Sequence, residues 1–185
     1  MTTATTTQRI YVASLSDYNA GRLHGSWIDL TDVDDIDDVW KQVNAILASS
    51  PEQAITGWKA EEWAIHDYEG FGGWRISEYE SFETVLLVAN LIANKGEAFA
   101  VFLGNDESIL SGAEYGELEE MFDERYCGEW DTFEDFAENL VDELGWAGMT
   151  AEQLEEISSY LDYGKIARDL EADYWFSDGY VFRNH

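Results

Sequence analysis

Basic residues are scarce in this sequence. The chain of 185 residues holds 10 lysines and arginines against 39 aspartates and glutamates, which gives a formal net charge of -29. A small domain usually carries a net charge of magnitude about 2–8, and self-repulsion above that range destabilises the compact state. So strong a negative charge argues against an ordinary nucleic-acid binder and against binding to anionic membranes. Composition therefore predicts a folded polyanion with a cationic partner.

Cysteine and long apolar runs are also missing. Cys127 is the only cysteine, so neither an internal disulfide nor a thiolate metal cluster is possible. The opening MTTATTTQR lacks the basic region and apolar stretch of a signal peptide, and no apolar run approaches the length of a membrane span. We expect a soluble, cytoplasmic protein that needs no cofactor and no metal.

Aromatic residues, by contrast, are plentiful. They make up 15% of the chain, with 8 Trp, 10 Tyr and 9 Phe. A disordered acidic tail would be poor in these residues. The chain is therefore expected to fold, as one domain or as a few very small ones.

The first two thirds of the chain mix strand and helix patterns. β-Branched and aromatic residues or alternation predict strands in RIYVASL (9–15), around SWIDL (26–30) and in EEWAIHDYE (61–69). Helical spacing predicts helices in DDIDDVWKQVNAIL (34–47), closed by Ser49, Ser50 and Pro51, and in FETVLLVANLIAN (82–94), capped by Ser81 and ended by Gly96. The second helix is apolar on most sides, which indicates that it is buried or covered by a partner. EAFAVFLG (97–104) fits a helix or a strand.

The last third is mainly helical and ends in a hairpin. Thr132 and Gly145 bracket a predicted helix over 133–144, and a Thr150–Gln153 capping box opens another that reaches about Leu161. A further helix is predicted with one apolar face made of Tyr163, Ile166, Ala167, Leu170 and Tyr174. Asp178 and Gly179 predict a hairpin turn in DYWFSDGYVFR. Without a regular βαβ alternation, the fold class is α+β.

Carboxylates are concentrated in two stretches. Residues 114–143 hold thirteen acids and one base, Arg125. The outward face of the helix predicted over 133–144 carries Glu134, Glu138 and Asp142 at i, i+4 and i+8. Each like-charge pair at this spacing costs roughly 0.2–0.5 kcal/mol, and a merely solvated face usually mixes both signs. The second stretch, DLTDVDDIDDVW, has a competing explanation, because first-turn aspartates interact favourably with the helix dipole.

Several uses of dense carboxylates can be compared. Calcium binding by an EF-hand starting at Asp32 is excluded, because Ile36 and Val43 occupy the fifth and twelfth ligand positions. A carboxylate-pair hydrolase acting on a sugar stays open, although no motif singles out a pair. An acidic chaperone for basic proteins also stays open. The fourth use is imitation of DNA, which presents one charge per ~1.7 Å of duplex.

Four phrases of the sequence resemble a known family. They are RIYVASLSDYNAGRLHGSWIDL, EEWAIHDYEGF, YCGEWDTFEDFAENLVDELG and YGKIARDLEADYWFSDGYVFR. From about Arg9 to Arg183 the chain resembles the ArdA antirestriction proteins. The resemblance implies a non-enzymatic protein, carried on mobile DNA, that mimics bent B-form DNA and inhibits Type I restriction-modification enzymes at their DNA groove. It also matches FAENLVDELG (136–145) with the family's antirestriction motif.

The same resemblance implies an elongated homodimer built from three small domains per chain. The boundaries are then 1–78 for an α+β domain, 79–117 for a small, mainly helical domain, and 118–185 for an α+β domain that makes the dimer contact. No catalytic residue and no metal ligand is expected. The residues predicted to bind the partner are Asp32, Asp34, Asp35, Asp37, Asp38, Glu114, Glu117, Glu120, Asp123, Glu124, Asp131, Glu134, Asp135, Glu138, Asp142 and Glu143.

Overall fold

A computed structural model describes residues 7–33, 35–145 and 148–184. The chain divides into two compact units, one up to Tyr115 and one from Gly116 onward, here called the amino-terminal and carboxy-terminal units. Helices alternate with two small antiparallel sheets, so the predicted mixture of α and β structure is confirmed. The division into three domains stays a prediction.

The amino-terminal unit is built on a three-stranded antiparallel sheet. Its strands are β1 (Arg9–Ser14), β2 (Gly25–Asp29) and β3 (Trp63–Glu69), in the order β2-β1-β3. All three predicted strands are therefore confirmed. The central strand, β1, buries Ile10 and Val12 completely.

Five α-helices belong to this unit within the described residues. They are α1 (Leu15–Asn19), α2 (Ile36–Ala48), α3 (Pro51–Thr56), α4 (Phe82–Lys95) and α5 (Glu97–Asn105), with 3-10 turns at Leu30–Asp32 and Glu107–Leu110. The two predicted helices are confirmed as α2 and α4, and the ambiguous stretch forms α5. The predicted end of α2 at Ser49, Ser50 and Pro51 is confirmed, because α2 ends at Ala48, and the last two of these residues also start α3. Ser50 caps α3 and Pro51 occupies its first turn, where a missing N–H costs no hydrogen bond.

Of the two alternatives predicted for α4, burial is confirmed. Seven of its residues are buried, including Val88 and Leu91, which lie outside the apolar stripe of Phe82, Val85, Leu86, Ala89 and Ile92. Phe82 at its start stacks on Trp63 of β3, with ring centroids 4.1 Å apart, and meets Trp40 of α2 edge-on at 4.9 Å. These three aromatic rings join the sheet to two helices.

The carboxy-terminal unit combines a second small sheet with helices. Its elements are α6 (Tyr115–Arg125, which begins at the unit boundary), β4 (Tyr126–Glu129), α7 (Phe133–Leu144), α8 (Ala151–Ile157), α9 (Tyr163–Leu170), β5 (Tyr174–Ser177) and β6 (Tyr180–Arg183). The strands are antiparallel in the order β4-β6-β5. The core of the helical part consists of Ala137, Val141, Leu154, Ile166 and Ala167.

Local signals for α7, α8 and the hairpin are confirmed. Thr132 caps α7, and Thr150 and Gln153 form the predicted capping box of α8. α8 ends at Ile157 and a 3-10 turn follows it to Tyr160. The assignment of Tyr174 to the face of α9 was wrong. α9 ends at Leu170, and Tyr174 opens β5, because residues 174–177 pair with β6 across the turn at Asp178.

Each helix within residues 7–33, 35–145 and 148–184 is too short or too polar to span a lipid bilayer.

Candidate functional site

Helix α7 presents carboxylates on one side and packs on the other. Its buried face holds Phe136, Ala137 and Val141, which face the core of the carboxy-terminal unit. Thr132 starts the helix by accepting a hydrogen bond from the Asp135 N–H at 3.1 Å. The Thr132 hydroxyl in turn donates to Asp135 Oδ2 at 2.6 Å. The apolar stripe and this cap fix which side of α7 faces solvent.

The solvent side of α7 carries Glu134, Glu138 and Asp142, here called the α7 row. All three are exposed. Successive members are four residues apart, which brings their Cβ atoms to about 5–6 Å from each other. Among the residues that the structure describes, no lysine or arginine forms an ion pair with the row. The row is therefore a run of negative charge that no base in the described ranges neutralises by an ion pair.

The last turn of α7 carries two carboxylates at the end of the helix where negative charge is least favourable. Asp142 and Glu143 lie in its last turn, which has no basic residue, and both are exposed. The carboxyl end of a helix carries a partial negative charge, so carboxylates there are disfavoured. Helix formation does not account for these two acids.

The start of α9 lies beside the α7 row. A Cβ added to Gly164 would come within 2.9 Å of Glu134 Oε1, so the carboxylate closely approaches the backbone there. Desolvation raises the pKa of Tyr163, and the negative charges of Glu138 and Asp142 raise it further. Tyr163 therefore keeps its proton at neutral pH and places a neutral hydroxyl beside the row.

A second acidic face lies on α6. Leu118 and Phe122 are buried on one side of the helix. On the other side a shallow depression, here called the α6 face, is lined by Gly116, Glu119, Glu120, Asp123 and Glu124. Their spacing of three and four residues places them together on a helix. Glu119 was not among the predicted residues, and the same spacing would have found it had α6 been predicted.

The remaining predicted acids lie within or beside these two helices or in the amino-terminal unit. Glu114, Glu117 and Asp131 are exposed, and residues 136–144 of the predicted antirestriction motif lie within α7. Asp32 is exposed at the end of a 3-10 turn, whereas Asp34 lies outside the described residues.

The acids at the start of α2 serve the helix. Asp35 accepts hydrogen bonds from the N–H groups of Asp37 at 2.9 Å and Asp38 at 3.2 Å. Asp38 lies 3.8 Å from Lys41. Capping and the favourable dipole at a helix start therefore account for part of this stretch. The acids at the start of α2 stabilise their own helix, whereas the acids in the last turn of α7 do not.

One carboxylate that sequence reasoning missed is completely buried. Asp17 accepts hydrogen bonds from Ser14 Oγ at 2.7 Å, Ser50 Oγ at 2.5 Å and the Glu52 N–H at 2.8 Å. Burial alone would raise its pKa, but these hydrogen bonds hold the pKa of Asp17 below its usual value. Asp17 therefore joins α1 to the start of α3. Its contacts are all structural.

The described residues bring no three His, Cys, Asp or Glu side chains together in a way that could hold a metal ion. Cys127 is half-buried, and desolvation raises the pKa of its thiol. What the carboxy-terminal unit does offer is exposed carboxylates in helical rows. Such rows can attract and align cationic groups of another protein.

Comparison with known proteins tests the resemblance seen in the sequence. No curated protein gives a significant match to the chain. The sequence profile of the antirestriction protein ArdA matches residues 10–182, which is nearly the whole chain and confirms the resemblance. The chain therefore belongs to the ArdA antirestriction protein family.

Proposed function

We propose that this protein inhibits Type I restriction-modification enzymes by occupying their DNA groove with carboxylates in place of phosphates. Membership of the ArdA family supports the proposal, because that family is antirestrictive and non-enzymatic. The observation that carries it is the α7 row, which lies exposed and, within the described part of the chain, without an ion-paired base. Carboxylates that folding does not need are available to a cationic cleft.

The net charge of the chain matches the charge on a short length of duplex DNA. At one charge per ~1.7 Å of DNA, a net charge of -29 corresponds to about 50 Å of duplex. Rows with about 5–6 Å between successive Cβ atoms repeat at an interval broadly similar to that of phosphates along one strand. A cationic groove selected for DNA would therefore bind the protein through the same electrostatics, and salt would weaken both.

The assembly we propose is a homodimer that acts in the cytoplasm. The family resemblance supports a dimer contact in the carboxy-terminal unit and carriage on a mobile genetic element. Two chains would carry a net charge of -58, which matches about 100 Å of duplex. The groove that such a dimer would fill is the one formed by the methyltransferase and specificity core of the enzyme.

The proposal is tested by displacement of DNA. A Type I enzyme holding a fluorescently labelled duplex is titrated with the protein at about 50 and 200 mM salt, the range over which phosphate-type contacts weaken strongly. We expect stoichiometric release of the duplex at the lower salt and weaker release at the higher salt. Absence of release at both concentrations rejects the proposal.

A matched pair of variants tests the α7 row itself. The first replaces Glu134, Glu138 and Asp142 by their amides, and the second replaces Glu152, Glu155 and Glu156, three exposed acids of α8 in the same unit. Both variants lose three charges. If DNA release weakens more in the first than in the second, the row binds the enzyme. Equal weakening would mean that bulk charge acts without a defined surface.

A further inference from the structure

One edge of the amino-terminal sheet has backbone groups that point away from the sheet. β2 is an edge strand beside β1. The Leu30 N–H donates to Gln8 O and the Ser14 N–H donates to His24 O, both at 2.9 Å. Bonded residues alternate along an antiparallel pair, so Gly25 and Trp27 of β2 direct their N–H and C=O groups outward.

These outward groups have almost no partner in the protein. Within the described residues, their one hydrogen bond comes from Ser26 Oγ, which lies 3.4 Å from Trp27 O. An open edge of this kind is a template for another extended chain. The opposite edge strand differs, because Ile65 of β3 already donates its N–H to Glu78 O at 2.9 Å.

A groove runs along this open edge, with α2 as its other wall. Its lining includes Gly25, Ser26 and Ile28 from the strand side, and Gln42, Ala45 and Ser49 from the helix. A strand edge facing a helix across a groove is suited to β-strand addition, in which main-chain hydrogen bonds give affinity and alternate side chains occupy the groove. The lining mixes polar groups such as Ser26 and Gln42 with apolar ones such as Ile28 and Ile46, so it suits short side chains that carry both a hydroxyl and a methyl group, such as threonine.

The acidic residues that follow β2 favour a basic segment as the occupant of the groove. β2 ends at Asp29, and the chain then runs through Asp32 and Asp35 into α2, whereas the nearby bases Arg22 and Lys41 are ion-paired with Glu52 and Asp38. A segment with lysine or arginine gains from these acids. A second copy paired through the same edge would bring its own Asp29, Asp32 and Asp35 to the groove and is disfavoured as the occupant.

We propose that the groove between β2 and α2 binds an extended, basic polypeptide segment of another protein by β-strand addition. The site requires only the open edge of β2 and the wall of α2. It does not depend on imitation of DNA by the carboxy-terminal unit, so the two proposals can fail separately.

The test uses a fluorescent octapeptide in which lysine alternates with threonine, and the same peptide N-methylated at its four central residues. The two peptides carry the same charge, but the second cannot donate from its centre. Fluorescence anisotropy is expected to show at least tenfold weaker binding of the methylated peptide. In an NMR titration, the amide signals of Gly25 and Trp27 are expected to shift with the unmethylated peptide only. Equal binding of both peptides, or unmoved signals at these residues, overturns the proposal.

Two protein variants complete the test. Ala45→Arg places a long side chain in the groove, whereas Asn44→Arg adds the same charge at an exposed neighbour on α2 outside the lining. We expect tenfold weaker peptide binding for Ala45→Arg and less than twofold change for Asn44→Arg. Equal loss in both would mean simple charge repulsion and would overturn the site. Sedimentation that shifts toward a smaller species for Ala45→Arg alone, without peptide binding to the parent protein, would assign the groove to a second copy instead.

Discussion

The two units of this protein carry negative charge in different ways. The amino-terminal unit has 19 acids and 6 bases in 115 residues, a net charge of -13, whereas the carboxy-terminal unit has 20 acids and 4 bases in 70 residues, a net charge of -16. In the first unit several acids have identifiable tasks in the fold. Asp17 is buried in a hydrogen-bond network, Asp35 caps a helix, and Glu69 pairs with Arg9.

In the carboxy-terminal unit the three acids of the α7 row form no ion pair with a base among the described residues. The α7 row is solvated, and Asp142 and Glu143 oppose the helix dipole. Acidity as such is therefore a poor indicator of function. The informative acids are those that cost the fold free energy and yet are present, because only a use outside the fold explains them.

The largest effect is expected where the fold uses a carboxylate. Asp17→Ala removes the acceptor of the Ser50 hydroxyl and of the Glu52 N–H inside the amino-terminal unit, whereas the Ser14 hydroxyl keeps its contact with Ser16 Oγ at 3.0 Å. We expect that unit to lose about 3 kcal/mol of its free energy of unfolding, since each buried unsatisfied group costs roughly 1–3 kcal/mol. Urea unfolding followed by tryptophan fluorescence measures this loss. Glu61→Ala at an exposed position is the control, and an equal loss there would contradict the assignment.

The hydrogen bonds of Asp17 also predict how the stability of the amino-terminal unit changes at acid pH. Because the pKa of Asp17 is lowered in the folded state, its contribution to stability is complete above the unfolded value, about 3.9, and is lost as the pH falls through the folded pKa. The parent protein should therefore lose stability below about pH 4 more steeply than Asp17→Ala. Parallel curves for the two proteins would show that the carboxylate is not the group that titrates.

The second effect separates function from stability in the carboxy-terminal unit. Replacement of Glu134, Glu138 and Asp142 by their amides should weaken enzyme inhibition about tenfold, since three ion pairs of roughly 0.5 kcal/mol each are lost. The same change removes two like-charge pairs and should raise the stability of the unit by up to about 1 kcal/mol. Inhibition titrations and thermal unfolding measure the two quantities. A variant that is both less stable and less active would show that the row belongs to the fold.

A smaller effect tests how firmly the fold holds Glu134. A Cβ at position 164 would approach Glu134 Oε1 to 2.9 Å, but this atom ends a flexible, exposed side chain that can move away. Alanine is favoured over glycine in a helix by up to about 1 kcal/mol, so Gly164→Ala should be neutral or stabilising by about 0.5 kcal/mol. Thermal unfolding measures this change in stability. A clear destabilisation would mean that Glu134 is fixed in place, as Asp17 is.

Local chemistry explains which of these features the sequence could predict. Thr132 and Gly145 mark the two ends of α7 so clearly that its exposed face, and with it the α7 row, follows from the amino-acid pattern alone. The turn at Asp178 was equally predictable, because an Asp-Gly pair between aromatic strands favours positive φ.

Features that depend on distant parts of the chain were missed. Asp17 bonds to residues 33 and 35 positions away, and no local pattern marks them as its partners. Tyr174 continued the helical spacing of α9, but pairing of β5 with β6 prevailed over that spacing. The acids at the start of α2 could be identified as caps, yet nothing in the sequence separated capping from binding there.

The smallest effect distinguishes distributed charge from a single decisive acid. Glu138→Gln removes one of the two charges that raise the pKa of Tyr163, so that pKa should fall, while desolvation keeps it above its usual value. Ultraviolet titration of the tyrosinate measures the fall and shows that the charge was removed beside α9. Inhibition of the enzyme should change less than about twofold, since one exposed pair contributes roughly 0.2–0.5 kcal/mol. If inhibition disappeared in a folded Glu138→Gln protein, one acid would dominate binding, and imitation of DNA by a distributed surface would be the wrong mechanism.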